Sequence, residues 1–232
     1  MASRDKGWAR TLRIIGILLM SLTAAFTILG GAGTTCVTLD PTGYGGKFAR
    51  IAPFQWLYAL FVIFTVAIGV MGVRAVVLLI QGRKNAYRYS LIALVAGAAV
   101  GITHIVASRI LRGGSMPVDM VVYTTIVTLI VFLLFRIPGI WQGVDFEKPA
   151  GEKKTGQQAA AIALAACGLL VLAVPIVMSP THTIAGVNYA DAWRLSLRAL
   201  GIALLLGGAG WRLRAAPWIR RRTLRPLADP SR

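Results

Sequence analysis

The sequence predicts an all-α fold: a polytopic membrane helix bundle of six transmembrane helices with both termini in the cytoplasm. Three observations predict it. Long runs without Lys, Arg, Asp or Glu recur along the chain. Those runs are apolar all round rather than alternating, as in IVTLIVFLLF (Ile126–Phe135), which excludes β-barrel strands. Basic residues concentrate in every second connection, as the positive-inside rule requires.

The uncharged runs are Ile14–Leu39, Ile51–Val73, Tyr89–Ser108, Met120–Phe135, Thr155–Ala190 and Ala199–Trp211. A helix needs about 20 apolar residues to cross a hydrocarbon core roughly 30 Å thick. The first, second, third and fifth runs meet that length outright. The fourth holds 16 residues and reaches full length with Val118 at one end and Arg136 snorkelling at the other. The sixth holds 13 and needs Arg198 and Arg212 to reach into the headgroups. Its alternative is a helix lying in the interface. The spans are therefore placed at about 12–33, 53–80, 88–108, 118–136, 157–178 and 193–213, in one integral membrane domain covering 1–232.

The basic start before Ile14 is like that of a signal peptide, but the apolar stretch behind it exceeds the usual 7–15-residue core. It reads as a retained first helix. The Thr34–Pro53 connection is turn-rich around Asp40-Pro41-Thr42-Gly43-Tyr44-Gly45-Gly46, without strand periodicity. Pro175 removes a backbone donor from the fifth helix and is expected to kink it. The words LRIIGILL in the first span and LRALGIALLL in the sixth are too short and too gapped to establish an inverted repeat.

Composition agrees with the spans. The 232 residues are 56% hydrophobic and 14% charged, against about 25% charge in an ordinary soluble domain. The net charge of +17 would suggest a nucleic-acid partner if the cations formed one patch. With both termini inside, however, 19 of the 25 Lys and Arg fall in cytoplasmic segments. Topology and attraction to anionic headgroups on that side account for the basicity, and no nucleic-acid motif accompanies it. Trp56 and Trp193 fall at outer helix ends, and Trp8, Trp141, Trp211 and Trp218 at inner ones, as an interfacial belt would.

Between lipid-embedded helices the hydrophobic drive is small, so close backbone approach must hold the bundle. Ala93, Gly97 and Gly101 recur every fourth residue on the third helix, and Ala199, Ala203 and Gly207 on the sixth. Both stripes are expected to be packing faces within the bundle rather than between protomers.

Motifs for nucleophilic, phosphate or metalloprotease chemistry are absent from the sequence, and its eight Asp and Glu all sit in loops, tails or helix ends. A carboxylate-driven pump is disfavoured on that count. Cys36 and Cys167 should differ in depth by on the order of 15 Å, too far for a disulfide. Arg74 sits near the inner boundary, and Arg194 and Arg198 open the last helix beside Asp191. Each reads first as a snorkelling or locally paired cation, and second as an anion or lipid-headgroup site.

His104 lies three residues past Gly101, so it shares the small-residue face and should point into the bundle. His182 follows the fifth helix and Cys36 ends the first on the same side, which makes the three candidate metal ligands. The leading reading is a non-catalytic, multi-pass protein of the cytoplasmic membrane, a subunit or partner of a larger membrane assembly, without a cofactor. One alternative is a small-solute carrier or channel. Another is a haem-, zinc- or copper-binding protein using His104 and His182.

Overall fold

The computed structural model describes residues 7–146, 153–178, 182–184 and 186–214; for 153, 154, 184 and 211–214 only the backbone is described. The cations Arg4, Lys6, Lys148, Arg220, Arg221, Arg222, Arg225 and Arg232, the acids Asp5, Glu147, Glu152 and Asp229, and Trp218 lie outside the described residues.

α1 (Gly7–Leu39) continues past the predicted end of its span. Threonine hydroxyls donate to carbonyls four residues back in its last turns: Thr34 to Gly30 O at 2.8 Å, Thr35 to Gly31 O at 3.0 Å and Thr38 to Thr34 O at 2.7 Å. Asp40 then turns the chain, its Oδ1 accepting from Gly43 N at 2.8 Å and Thr42 Oγ1 at 3.0 Å. A 3-10 turn (Ala49–Phe54) leads into α2 (Gln55–Gln81).

α2 ends in a Schellman turn. Gly82 takes φ 62°, which favours a residue without Cβ, and Arg83 N donates to Leu78 O at 3.0 Å. The chain reverses within four residues into α3 (Ala86–Arg112). α4 (Val118–Leu134) stops before the predicted Arg136 and turns by 98° into the short α5 (Pro138–Val144). Pro138 forces that break: Ile137 before it is held at ψ 125°, outside the helical region.

α6 (Lys153–Met178) carries Pro175 within it. A two-residue antiparallel pair, β1 (Thr183–Ile184) with β2 (Val187–Asn188), and the single-turn α7 (Tyr189–Ala192) precede α8 (Arg194–Arg214).

The described chain is thus all-helical apart from β1 and β2. Four of its helical segments are long and apolar enough to cross a membrane, or five if the bent α4–α5 pair counts as one span. α8 is not among them.

Each of α1–α4 packs on the next, and α1 also packs on α4, so the four close into a ring. α6 lies against α1 and α2, and α8 lies behind α6. At the pole where α1 begins, Ile17, Met20, Leu79 and Leu94 are fully buried with a group of rings. Phe132 and Phe146 stack at 5.8 Å, Tyr87 meets Trp141 edge-on at 4.8 Å, and the Tyr87 hydroxyl donates to Phe132 O at 2.6 Å. α5 lies across this pole, with Trp8 of α1 tight against Gly143. A smaller apolar cluster of Ile51, Tyr58 and Phe61 closes the opposite, far pole.

The α6–α8 contact corrects one expectation. Ala199, Ala203 and Gly207 lie on the exposed face of α8. The face against α6 instead carries Gly201 and Gly208, seven residues or about two turns apart. A Cβ on Gly201 would come within 3.0 Å of Gly168 O, and one on Gly208 within 2.8 Å of Ala161 O. The helices therefore run antiparallel with their backbones nearly touching. On α3, Ala93 is buried, a Cβ on Gly97 would stand 3.4 Å from the methyls of Ile68 and Thr125, and one on Gly101 would meet Val122 at 2.5 Å. That stripe packs within the chain, against α2 and α4.

Candidate functional site

The polar side chains of the ring meet in its middle and far half. On α1, Thr23, Thr27, Gly30 and Thr34 recur at spacings of four, three and four, which puts them on one helix face. On α4, Thr125 and Thr128 face them. Thr23 and Thr128 bond hydroxyl to hydroxyl at 2.7 Å and tie α1 to α4. Thr27 donates to Thr23 O and Thr125 to Val121 O, both at 2.7 Å. Back-bonding of this kind satisfies a buried hydroxyl's proton within its own helix and leaves its lone pairs facing outward.

His104 enters from α3, one turn beyond Gly101. It is 4% exposed. Phe61 stacks on its ring at 4.3 Å, and Tyr58 meets it edge-on at 5.3 Å. Tyr58 is itself held by Ser108, one turn further along α3, at 2.9 Å. Beside His104 lies a cavity of about 30 Å³, lined also by Thr27, Thr34, Thr65 and Thr125. A second cavity of about 10 Å³ continues toward the middle of the bundle, and Thr27, Ile68, Gly97 and Thr125 line both.

The other candidate ligands lie elsewhere. His182 bonds Met178 O through Nδ1 at 3.0 Å and sets its Nε2 against Gly33 of α1. Cys36 is half-buried in the last turns of α1 with a free thiol. Among the described residues no three His, Cys, Asp or Glu side chains gather where a metal ion could be held, so the expected His104–His182–Cys36 layer does not form one.

The arginine candidates all lie at the surface. Arg74 is exposed, with its guanidinium 5.2 Å from the Tyr89 ring of α3. Arg194 pairs with Asp191 across one helical turn, and Arg198 is exposed on α8.

Two polar clusters were not foreseen in the sequence. At the far pole, Asp119 is 5% exposed and accepts from Ser115 Oγ at 2.8 Å and Arg109 Nη2 at 3.1 Å. This cluster clasps the start of α4 to the end of α3. At the opposite pole, Arg13 is buried, donates to Asp145 O at 3.3 Å and lies 5.7 Å from the Phe146 ring. Arg136, by contrast, stays exposed and rests on Trp141 at 5.0 Å and Tyr87 at 5.6 Å. The one available signal was the S-x-x-x-D spacing of Ser115 and Asp119, which places both on one side of a helix start.

No protein family, curated protein or solved structure matches the chain. Its own residues therefore carry the functional argument.

Proposed function

We propose that the chain is a non-catalytic, six-span protein of the cytoplasmic membrane with both termini in the cytoplasm, acting as a subunit or partner of a larger membrane assembly. The observation that carries the assembly role is the position of α8. Its substantial helix contact is with α6, while Ala199, Ala203 and Gly207 face away from the chain. Small residues on an outward face let another helix approach closely in lipid, where packing rather than hydrophobicity drives association. The polar groups within the ring also favour a structural role, since Thr23–Thr128, Tyr58–Ser108 and Arg109–Asp119 all tie one helix to another.

Six spans are supported by the α6–α8 seam. Gly168 faces Gly201 and Ala161 faces Gly208, so α8 shares the depth of α6 over its central turns. The orientation follows from the 19 of 25 Lys and Arg on one side. Reporter fusions should place Gly43 and Gly186 outside and residues after Arg220 inside. An external C-terminus would remove the sixth span.

For the assembly role, the full chain is cross-linked in native membranes from a photoreactive residue at Ala203. A discrete heteromeric adduct, lost with Gly207→Leu, is expected. Labelling of lipid alone would refute the role. A small-solute carrier is the second reading, and the cavity beside His104 favours it; flux into proteoliposomes decides between the two.

A further inference from the structure

The cavity beside His104 combines a buried, unpartnered base with four threonines in an otherwise apolar lining, and this holds whichever of the two functional readings is correct. Among the described residues neither ring nitrogen of His104 has a hydrogen-bond partner, although the residue is 4% exposed. Phe61 stacks on one face of the ring and Tyr58 meets it at a right angle, and the cavity that His104 lines is where those nitrogens can find a partner. Buried polar groups are costly without one.

The threonines around it complete a site. Thr27, Thr34 and Thr125 each donate to a carbonyl of their own helix, so toward the cavity they can only accept. A neutral imidazole offers one donor and one acceptor. A molecule seated here must therefore donate to Thr27, Thr34 or Thr125, while Thr65, whose hydroxyl is not bonded back to its helix, and His104 can each donate or accept.

Size and charge narrow the class further. One water needs about 10–15 Å³ of such volume, so about 30 Å³ admits two non-hydrogen atoms or so. No carboxylate lines the cavity, and the nearby carboxylate of Asp119 is engaged by Ser115 and Arg109. A cation would find nothing to balance it.

We propose that this cavity is a binding site for one or two small, uncharged hydrogen-bond-donating molecules, water being the smallest, anchored by His104 and the threonines of α1 and α4. The occupant completes the hydrogen bonding of the ring interior. A second cavity of about 10 Å³, lined by Thr23 and Thr27 and sharing Thr125 with the first, lies next to it.

The test uses the full chain in lipid nanodiscs with ¹⁵N-labelled histidine. Since the sequence holds two histidines, His182→Gln leaves His104 as the single ring signal. Magnetisation transfer from water to the His104 ring, with ¹⁵N shifts of hydrogen-bonded nitrogens, is expected. Xenon under pressure should leave those shifts unchanged, because xenon enters dry apolar cavities. Loss of the water contact together with a xenon-induced shift would overturn the proposal. So would ring shifts of nitrogens that bear no hydrogen bond.

Discussion

The two halves of the four-helix ring are built from the same helices but packed by different means. At the pole where α1 begins, Phe132, Phe135, Phe146, Tyr87 and Trp141 fill the interior with rings, and Ile17, Leu79 and Leu94 close the gaps. In the middle and far half the same staves present Thr23, Thr27, Thr125, Thr128, Gly97 and Gly101. Cavities remain there, hydroxyl bonds tie the helices, and ring contacts among these helices are confined to Tyr58, Phe61 and His104 at the far pole. The hydropathy of the spanning helices is similar throughout, 2.1 for α1 and α3 and 2.5 for the segment containing α2. Side-chain volume and shape distinguish the halves: rings fill an interior continuously, whereas threonines bonded back to their own helix leave room beside them.

The comparison breaks most easily on the ring side. Phe132→Ala should cost about 3–5 kcal/mol, since a fully buried ring leaves a void that its neighbours cannot close. Denaturant titration of the protein in mixed micelles measures this, and a cost below ~1 kcal/mol would show that the ring cluster is not the stabilising half. Next comes Gly101→Leu, at about 1–3 kcal/mol from overpacking, because even a Cβ there would lie 2.5 Å from Val122. Gly97→Ala sharpens the contrast. Its Cβ would stand 3.4 Å from two methyl groups beside the cavities, and stability should stay within ~0.5 kcal/mol of the parent.

Thr23→Val removes the hydroxyl pair with Thr128 and should cost about 0.6 kcal/mol, the usual worth of an interhelical bond in lipid. A double cycle with Thr128→Val isolates it. The smallest effect lies outside the ring. The Tyr44 phenol is pushed from its ordinary 10 up to about 12, chiefly by burial and further by Cys36 and Asp40. Its contribution to stability is thus complete below pH 10 and lost as pH rises through about 12. Tyrosinate absorbance compared with Tyr44→Phe should show one late-titrating phenol; titration near 10 would show that the loop is open.

Much of this architecture is legible in the sequence, because span length follows from uncharged length. The helices expected at 53–80, 88–108 and 157–178 match α2, α3 and α6 closely. Faces are harder to read than spans. In lipid every side of α8 between Arg198 and Arg212 is apolar, so Ala199–Ala203–Gly207 and Gly201–Gly208 were equally eligible to meet α6. Only the position of α6 chooses between them. His104 could be placed on the inward face of α3 from its spacing to Gly101. The cavity beside it could not, because it depends on the rotation of α1 and α4, which turn their threonines toward it. Arg13 looks like a snorkelling cation at a helix start, yet α5 and Phe146 fold over it and bury it. That fold-over begins at Pro138, whose effect on direction no apolar count records.

The hydroxyl bond between Thr23 and Thr128 joins residues 105 positions apart. During synthesis, α1 is complete long before α4 exists, and it must wait in the membrane for its partner. Thr27, Thr34, Thr35 and Thr38 bond to their own helix, so nearly the whole polar face of α1 is satisfied through that interval. The helix can stand alone in lipid without exposing a row of unmet donors. The interior cavities come into being only when α4 arrives and closes the ring.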